Sequence, residues 1–350
     1  EILGDLGDVR GAIEACERAL NVAKVAKLPP RIRAEVLRSK GVLLRRVGRV
    51  DEAVTAHAEA IAVFRVVGAR RSEARAKNAL AYAMFVMERF EDAIALGLSS
   101  ISIDLAISGR FQIAKTLSNV GQAYARLGDV ERGLSYLKRA REAHERYADQ
   151  DSRADTLLCS AEVLLEHGAV HEAATLCGDA GALVAVTGSA YDTVHERIVR
   201  ALIARAENHA LDAIHYAQAA RKLAEPQGLL SYHIYATAIE AAARIDAQEH
   251  HTGVLLARTA LGAIESTSSE YGIEVRALCT DTLRRASPLG LRDALFRASA
   301  HVRAVAAHIR DIRLRDLFLR RTIVARILSE ADSLGFESSR SEPKNRGELA

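Results

Sequence analysis

The sequence predicts an all-α solenoid of about seven to eight stacked helix pairs. Small residues recur at intervals of about 40 positions along the chain, which is typical of repeat architectures. They are Ala12, Ala53, Ala93, Gly133, Ala173, Ala213, Gly253 and Ala294. Shortly before most of them comes a residue suited to a tight turn: Gly7, Gly48, Gly128, Gly168 or Asn208. The sequence also lacks alternating β-branched runs bounded by hairpin turns, so strands are not expected.

Each repeat is predicted to be a helix, a tight turn and a second helix. The turn needs a positive φ, which glycine adopts freely and asparagine tolerates. The small residue marks the point where the second helix crosses the first at short distance, because a large side chain would not fit there. The first helix carries a matching small residue at Gly41, Ala81, Gly121, Ala161, Ala201 and Ala241. Acidic residues near the start of the second helix are predicted to cap it or complement its dipole; they are Asp8, Asp129 and Asp212.

The third full repeat resembles the tetratricopeptide repeat (TPR) family. Gly121, Tyr124, Gly133 and Ala140 stand where that family places its small and aromatic residues. The commonest TPR repeat has 34 residues, and the longer form seen here is similar to the TPR arrays of bacterial multidomain signalling kinases and ATPase-type regulators. The resemblance covers residues 1–300. It implies a right-handed superhelix whose first helices line a concave, peptide-binding face.

The two ends of the chain carry different expectations. Residue 1 is Glu rather than Met. The repeat register places the first helix of the pair that contains Ala12 upstream of residue 1, so the chain is predicted to be a fragment of a longer protein with an upstream effector part. Residues 301–335 are predicted to form a C-terminal capping helix, with its apolar face on the last repeat and its arginines in solvent. Such a basic amphipathic helix would alternatively suit a membrane surface or an acidic partner. Residues 336–350 are polar and aperiodic, which predicts a disordered tail.

Composition argues against several functions. The net charge of +3 provides no electrostatic basis for binding nucleic acid or an anionic membrane. No apolar run is long enough to span a bilayer. The four cysteines are far apart, which predicts free buried thiols in a reducing compartment and therefore a cytoplasmic protein. They are Cys16, Cys159, Cys177 and Cys279.

Chemistry-bearing motifs are also missing from the sequence. His167 and His171 tempt a metal interpretation, but Gly168 places them across a turn, so they do not share a helix face. Neither a phosphate-binding loop nor a nucleophile elbow occurs. We therefore expect no cofactor, no metal and no catalytic activity.

The TPR resemblance directs attention to the concave groove. In that family the exposed groove positions are the second, fifth, ninth and twelfth of each repeat, and the repeats here start at 34, 74 and 114. The predicted partner-binding groove consists of Arg38, Arg45, Arg75, Asn78, Tyr82, Phe85, Lys115, Gln122 and Arg126. Arginine can fork onto carboxylates and asparagine can hold a peptide backbone, while the aromatic rings offer apolar contacts. The same positions of the next repeat include Asp155 and Glu162, so the charge changes sign there.

The sequence thus favours a non-catalytic scaffold that binds a protein or peptide segment, with an acidic segment suiting the basic strip. The alternative is a ligand-sensing domain that gates an attached kinase or ATPase-type regulator. A third interpretation is that the concave face binds no specific ligand and is simply solvated, as most arginine-rich helix faces are. The sequence leaves the partner and the oligomeric state open.

Overall fold

The computed structural model describes residues 9–107, 113–147, 150–286 and 289–335. These residues contain seventeen helices and no strand. In chain order the helices are α1 (Val9–Val25), α2 (Pro30–Arg46), α3 (Val50–Val66), α4 (Arg70–Val86), α5 (Phe90–Ala106), α6 (Ile113–Arg126), α7 (Val130–Tyr147), α8 (Gln150–Glu166), α9 (Val170–Thr187), α10 (Ala190–Ala206), α11 (Ala210–Ala224), α12 (Leu230–Asp246), α13 (His250–Ile264), α14 (Gly272–Ala286), α15 (Leu291–Ala307), α16 (Ile312–Arg320) and α17 (Thr322–Ser333).

The predicted helix pairing is confirmed. Each of the recurring small residues is the fourth residue of an odd-numbered helix, from α1 to α15, and is buried. The close crossing explains why they are small: a Cβ on Gly121 would lie 2.9 Å from the carbonyl oxygen of Gly133. A Cβ on Gly133 would in turn lie 3.0 Å from the carbonyl oxygen of Gly121. The two helices of the pair α6–α7 therefore touch backbone to backbone.

The turns between paired helices adopt the predicted left-handed conformation. Gly48, Gly128, Gly168 and Asn208 all have positive φ. Two turns use residues that the sequence did not single out, because Glu88 (φ 56°) and Gln248 (φ 64°) occupy the same position. Gly7 and Asp8 lie outside the described residues. Of the other two predicted capping residues, Asp129 accepts a hydrogen bond from the amide of Arg132 at 3.4 Å, and Asp212 lies in the first turn of α11.

The solenoid curls until its late repeats contact its early ones. The amide of Ile273, at the start of α14, donates to Glu88 Oε1 at 3.1 Å. The Tyr82 hydroxyl on α4 lies 3.4 Å from Glu270 Oε1. The concave side is therefore enclosed by helices from both ends of the array.

Residues 301–335 do not form the single capping helix expected from the sequence. They contain the end of α15, then α16 and α17. Asp311 interrupts the helical run, because its side chain accepts the amide of Leu314 at 3.1 Å and caps α16. Arg321 separates α16 from α17 with an extended ψ of 133°. We call α16 and α17 together the C-terminal clasp.

The clasp packs on the early repeats rather than only on the last one. Phe318 and Ile327 belong to the same apolar cluster as Phe85, Phe90 and Leu127. Three arginines pair with acidic residues of earlier repeats. Arg310 and Arg313 also remain 68% and 58% exposed, as the sequence predicts, whereas Arg321 is only 3% exposed and contradicts that expectation. The pairs are Arg310–Asp92 at 2.8 Å, Arg313–Asp129 at 2.6 Å and Arg321–Glu166 at 2.9 Å. The physical reason is the curl of the solenoid, which brings the turns after α4 and α6 within reach of residues 310–321.

Candidate ligand-binding cavity

The concave side holds a cavity of about 350 Å³, lined by the even-numbered helices α6 to α14 and by α17. We call it the central cavity. Its apolar wall includes Ala125, Val163, Leu165, Leu202, Leu278 and Ile323. Its charged side chains are Arg126, Glu162, Glu166, Arg205, Glu274 and Arg326. A mostly apolar wall with a few convergent polar groups is the usual composition of a ligand site.

A network of paired charges forms one side of the cavity. Arg126 pairs with Glu274, and Glu274 also pairs with Arg321 at 2.8 Å. Arg321, whose side chain is only 3% exposed, continues to Glu166 and donates to the carbonyl oxygen of Arg126 at 3.0 Å. The network connects α6, α8 and α14 to the clasp. Arg321 is buried, Arg126 and Glu274 are half-buried and Glu166 is exposed; each charge has a partner of opposite sign, which offsets the cost of removing it from water.

The network keeps its members charged. Burial alone would lower the pKa of Arg126, but Glu274 and Glu162 outweigh it and raise that pKa well above its ordinary value. Burial would raise the pKa of Glu274, yet Arg126 and Arg321 hold it below the usual range. The cavity therefore presents fixed charges of both signs at neutral pH.

Four buried tyrosines lie beside this network. The hydroxyls of Tyr232 and Tyr191 are 2.8 Å apart, and the rings of Tyr235 and Tyr271 stack with centroids 4.1 Å apart. The guanidinium of Arg126 lies 5.1 Å from the centroid of Tyr271. Burial raises the pKa of all four phenols well above the ordinary value, so they remain neutral. Aromatic rings packed against one another make this wall rigid.

His195 lies deep on α10, between two carboxylates of α8. Its Nδ1 is 3.4 Å from Asp155 Oδ1, and its Nε2 is 3.6 Å from Glu162 Oε1. Burial would lower the pKa of His195, but Asp155 and Glu162 raise it to about 10. The thiol of Cys159 lies on the same face of α8 as Asp155, one turn away, and its Sγ is 3.9 Å from Asp155 Oδ1.

Two of the nine predicted groove residues, Gln122 and Arg126, line the central cavity. Two others meet each other elsewhere on the concave side, where the guanidinium of Arg45 covers the ring of Tyr82 at 4.4 Å. Phe85 requires a correction. It was predicted as an exposed apolar contact, but it is 2% exposed and packs with the clasp in one apolar cluster.

The remaining predicted groove residues have their own partners or face solvent. Arg38 pairs with Glu35 at 3.2 Å, and burial of Glu35 is outweighed by Ser72, Arg38 and Arg75, which lower its pKa. Asn78 is buried, and its Oδ1 accepts a hydrogen bond from the side-chain Nδ2 of Asn119 at 3.0 Å. Lys115 is exposed. The structure therefore does not gather all nine residues into one site.

The cavity residues that the sequence interpretation missed obey the same positional rule. Continuing the repeat starts to 194 and 234 makes His195 and Tyr235 second positions, Leu202 a ninth position and Arg205 a twelfth position. Tyr235, Leu202 and Arg205 line the central cavity. The positional rule of the TPR resemblance therefore identifies these cavity residues when it is extended to the next two repeats.

The other sequence candidates behave as simpler structural residues. His167 caps the end of α8, with its Nδ1 2.9 Å from the carbonyl oxygen of Val163, and His171 lies across the turn in α9. Cys159, Cys177 and Cys279 are buried free cysteines, and Cys16 is half-buried. Among the described residues, the helices are too short or too polar to cross a membrane.

Comparison with known proteins identifies the fold. Residues 113–154 match the family model described as tetratricopeptide repeat. No curated protein sequence matches the chain significantly. A Rap protein complexed with competence and sporulation factor aligns with a TM-score of 0.56 at 12% identity, over 93% of this chain and 99% of that one.

Two further solved structures extend the likeness. NprR in complex with its cognate peptide NprX aligns with a TM-score of 0.56 at 13% identity, over 94% of this chain and 100% of that one. A signal transduction ATPase with numerous domains (STAND) and a TPR sensor, from Pyrococcus horikoshii, aligns with a TM-score of 0.50 at 15% identity, over 93% of this chain but 55% of its own length. Residues 113–154 are thus a tetratricopeptide repeat, and the chain has the fold of a TPR solenoid.

Proposed function

We propose that this chain is a non-catalytic regulatory module that binds a short peptide or a protein segment in the central cavity. The observation that carries the proposal is the cavity itself, an apolar pocket with fixed charges of both signs, at the centre of the concave face. Two proteins with the same fold have been solved with a bound partner: a Rap protein with competence and sporulation factor, and NprR with its cognate peptide NprX. These structural neighbours support the binding of a peptide or protein segment, whereas the kind of ligand is inferred from the lining of the cavity.

The dimensions of the cavity suggest what it accepts. About 350 Å³ is at the lower end of the range for ligand pockets, roughly 300–1,000 Å³. That volume suits one or two side chains of a peptide rather than a whole folded domain. Because three basic and three acidic side chains line the cavity, we propose a segment that presents an apolar side chain beside charged groups of either sign.

The basic strip predicted from the sequence complements this proposal outside the cavity. Arg38, Arg75 and Lys115 lie on the even-numbered helices α2, α4 and α6. We propose that they attract the acidic part of a longer ligand whose anchoring side chain enters the cavity. Lys115 is the exposed member of this strip, and a contact to it weakens with salt, because exposed charges are screened over about 8 Å at physiological ionic strength.

The test is an affinity selection with a degenerate library of short peptides over the immobilised chain. Leu202→Trp fills the cavity, since Leu202 lines it. Leu255→Trp is the matched control, because Leu255 is 59% exposed on the outer helix α13. Wild type and Leu255→Trp should retain the same peptides, and Leu202→Trp should lose them while keeping its helical circular dichroism. Retention of the same peptides by Leu202→Trp would overturn the cavity assignment, and a wild type that retains none would overturn peptide binding.

A second function, a sensor that gates an attached effector, is favoured by the likeness to the STAND ATPase. That protein carries a tetratricopeptide repeat sensor, and this chain spans about half of its length. The discriminating observation is the reading frame upstream of residue 1. A kinase or nucleotide-binding domain encoded there would favour the sensor role.

A further inference from the structure

The cluster formed by Asp155, Cys159 and His195 has the geometry of a metal site. One donor atom from each of these residues lies within 4.8 Å of the other two. Cys159 and His195 are 3% and 1% exposed, respectively. Within the described residues, neither ring nitrogen of His195 has a hydrogen-bond partner of acceptable geometry. Asp155 and Glu162 face the two nitrogens at 3.4 Å and 3.6 Å, so the ring is electrostatically compensated, but Nδ1 lacks a well-formed hydrogen bond and is open to a ligand.

The distances fit one tetrahedral ion. Bond lengths of about 2.0 Å to nitrogen and oxygen and about 2.3 Å to sulfur place the donors roughly 3.3–3.6 Å apart around a tetrahedral zinc. The observed separations are 3.4 Å from His195 Nδ1 to Asp155 Oδ1 and 3.9 Å from Cys159 Sγ to the same oxygen. The third separation, between Cys159 Sγ and the His195 ring, lies within 4.8 Å. Binding of one ion therefore requires the thiol and the imidazole to approach each other by up to about 1 Å.

Glu162 completes the arrangement from the other side of the imidazole. Its Oε1 is 3.6 Å from His195 Nε2, the nitrogen that points away from Asp155. A carboxylate that accepts the second ring N–H fixes the histidine tautomer and orients the first nitrogen toward a metal. Glu162 therefore occupies the position of an orienting residue, while the other three occupy the positions of ligands.

We propose that Asp155, Cys159 and His195 bind a zinc ion, with Glu162 orienting His195. One thiolate, one imidazole and one carboxylate form a donor set suited to zinc, whereas magnesium and calcium prefer oxygen ligands alone. Three protein ligands leave a fourth position for water or for a donor from a bound molecule. The proposal goes beyond peptide binding and does not rest on it. It joins the neighbouring helices α8 and α10 at the edge of the central cavity, which Cys159 lines.

The test is metal uptake by the untagged chain after chelation and desalting, titrated with Zn²⁺ and, as a spectroscopic probe, Co²⁺. A Cys16→Ser background removes the half-buried thiol of α1. We expect one equivalent of either metal and, with Co²⁺, the thiolate charge-transfer band and intense visible bands of a tetrahedral site. Cys159→Ala should lose the charge-transfer band and most of the affinity. Glu162→Gln should keep the band while affinity falls about 10- to 100-fold, as for other orienting residues.

The matched control is Cys279→Ala, which removes another fully buried thiol, on α14. It should bind metal like the background chain. Asp155→Asn is a second ligand variant, and its partly exposed side chain makes it mild for folding. Absence of a stoichiometric metal ion at micromolar concentrations, or an unchanged cobalt spectrum in Cys159→Ala, would overturn the site and leave His195 as an imidazolium held between two carboxylates.

Discussion

Gly128→Ala provides a sharp test of how the clasp closes the solenoid. Gly128 lies in the turn between α6 and α7 with a φ of 80°. A Cβ at this position would lie 2.7 Å from the carbonyl oxygen of Leu317 and 3.0 Å from its carbonyl carbon. Gly168, in the equivalent turn one repeat later, has a φ of 77° and open space around its Cβ position. Gly168→Ala is therefore a matched control without the clasp contact.

The magnitudes follow from these two environments. Both substitutions place alanine in the left-handed region, which costs about 1–2 kcal/mol. Gly128→Ala additionally pushes against the backbone of α16, and overpacking of this kind costs about 1–3 kcal/mol more. We therefore expect Gly128→Ala to lower the free energy of unfolding by roughly 2–5 kcal/mol, clearly more than Gly168→Ala.

Urea denaturation of both variants measures the difference, and hydrogen exchange locates it. Amides of residues 312–333 should exchange faster in Gly128→Ala and at the wild-type rate in Gly168→Ala. Equal destabilisation by the two variants, with unchanged exchange in the clasp, would refute the packing of α16 on this turn.

Three further predictions follow from the structure. Arg321→Ala should lower the free energy of unfolding by about 1.5–3 kcal/mol, because it removes the buried guanidinium that donates to Glu166 and Glu274, while Glu274 keeps Arg126. The exposed neighbouring variant Arg320→Ala should change it by less than about 0.5 kcal/mol. Similar losses in urea denaturation would contradict the network. Gly121→Ala should destabilise the fold, because its Cβ would meet α7. Gly178→Ala has open space around its Cβ and should stabilise the fold by up to about 1 kcal/mol in thermal melts. The opposite order of stabilities would refute the close crossing of α6 and α7. Burial, with the nearby cations, lowers the pKa of His57 to about 3, so its stabilising contribution is present above about pH 6.5 and is lost as pH falls toward 3. In His57→Gln, the free energy of unfolding should therefore fall less steeply with decreasing pH, by at most about 1.4 kcal/mol per pH unit. An unchanged dependence of that free energy on pH in denaturation series would contradict this.

The sequence was a reliable guide to the repeat, because the repeat is a local property. Helix crossing needs a small residue wherever two paired helices touch, so Gly133 and its equivalents mark the register by themselves. Turn residues were predictable for the same reason where they are Gly or Asn. Glu88 was not, because its left-handed backbone coincides with contacts made far along the chain: Ile273 donates to its side chain, and His301 Nε2 lies 2.5 Å from its Oε2.

The course of the clasp could not be predicted from its own residues. The pattern of residues 301–335 indicates an amphipathic basic helix, but where such a helix docks depends on how far the solenoid curls. Curl accumulates from small rotations at every repeat, and no local motif records it. Phe85 was misassigned because it packs with Tyr82 and Phe90 inside an apolar cluster that also contains residues of the clasp.

Part of the lining of the central cavity could be predicted from the sequence. Gln122 was identified by its position in the repeat and Arg126 as a neighbour of such a position, and the same rule applied further along the chain gives Leu202, Arg205 and Tyr235. Repeat position alone does not predict the balance of acidic and basic side chains at the cavity, because Glu274 and Arg321 come from α14 and the clasp. The basic strip of the early repeats therefore differs from the mixed charges of the cavity.

The central claim is that ligand binds inside the solenoid, on the even-numbered helices. Hydrogen exchange with and without a peptide recovered by the library selection tests it most directly. Binding should slow amide exchange in α6, α8, α10, α12 and α14 and in α17, the elements that line the central cavity. The outer helices α7, α9, α11 and α13 should be unaffected. Protection confined to the outer helices, or unchanged exchange around the cavity in a chain saturated with peptide, would contradict the account.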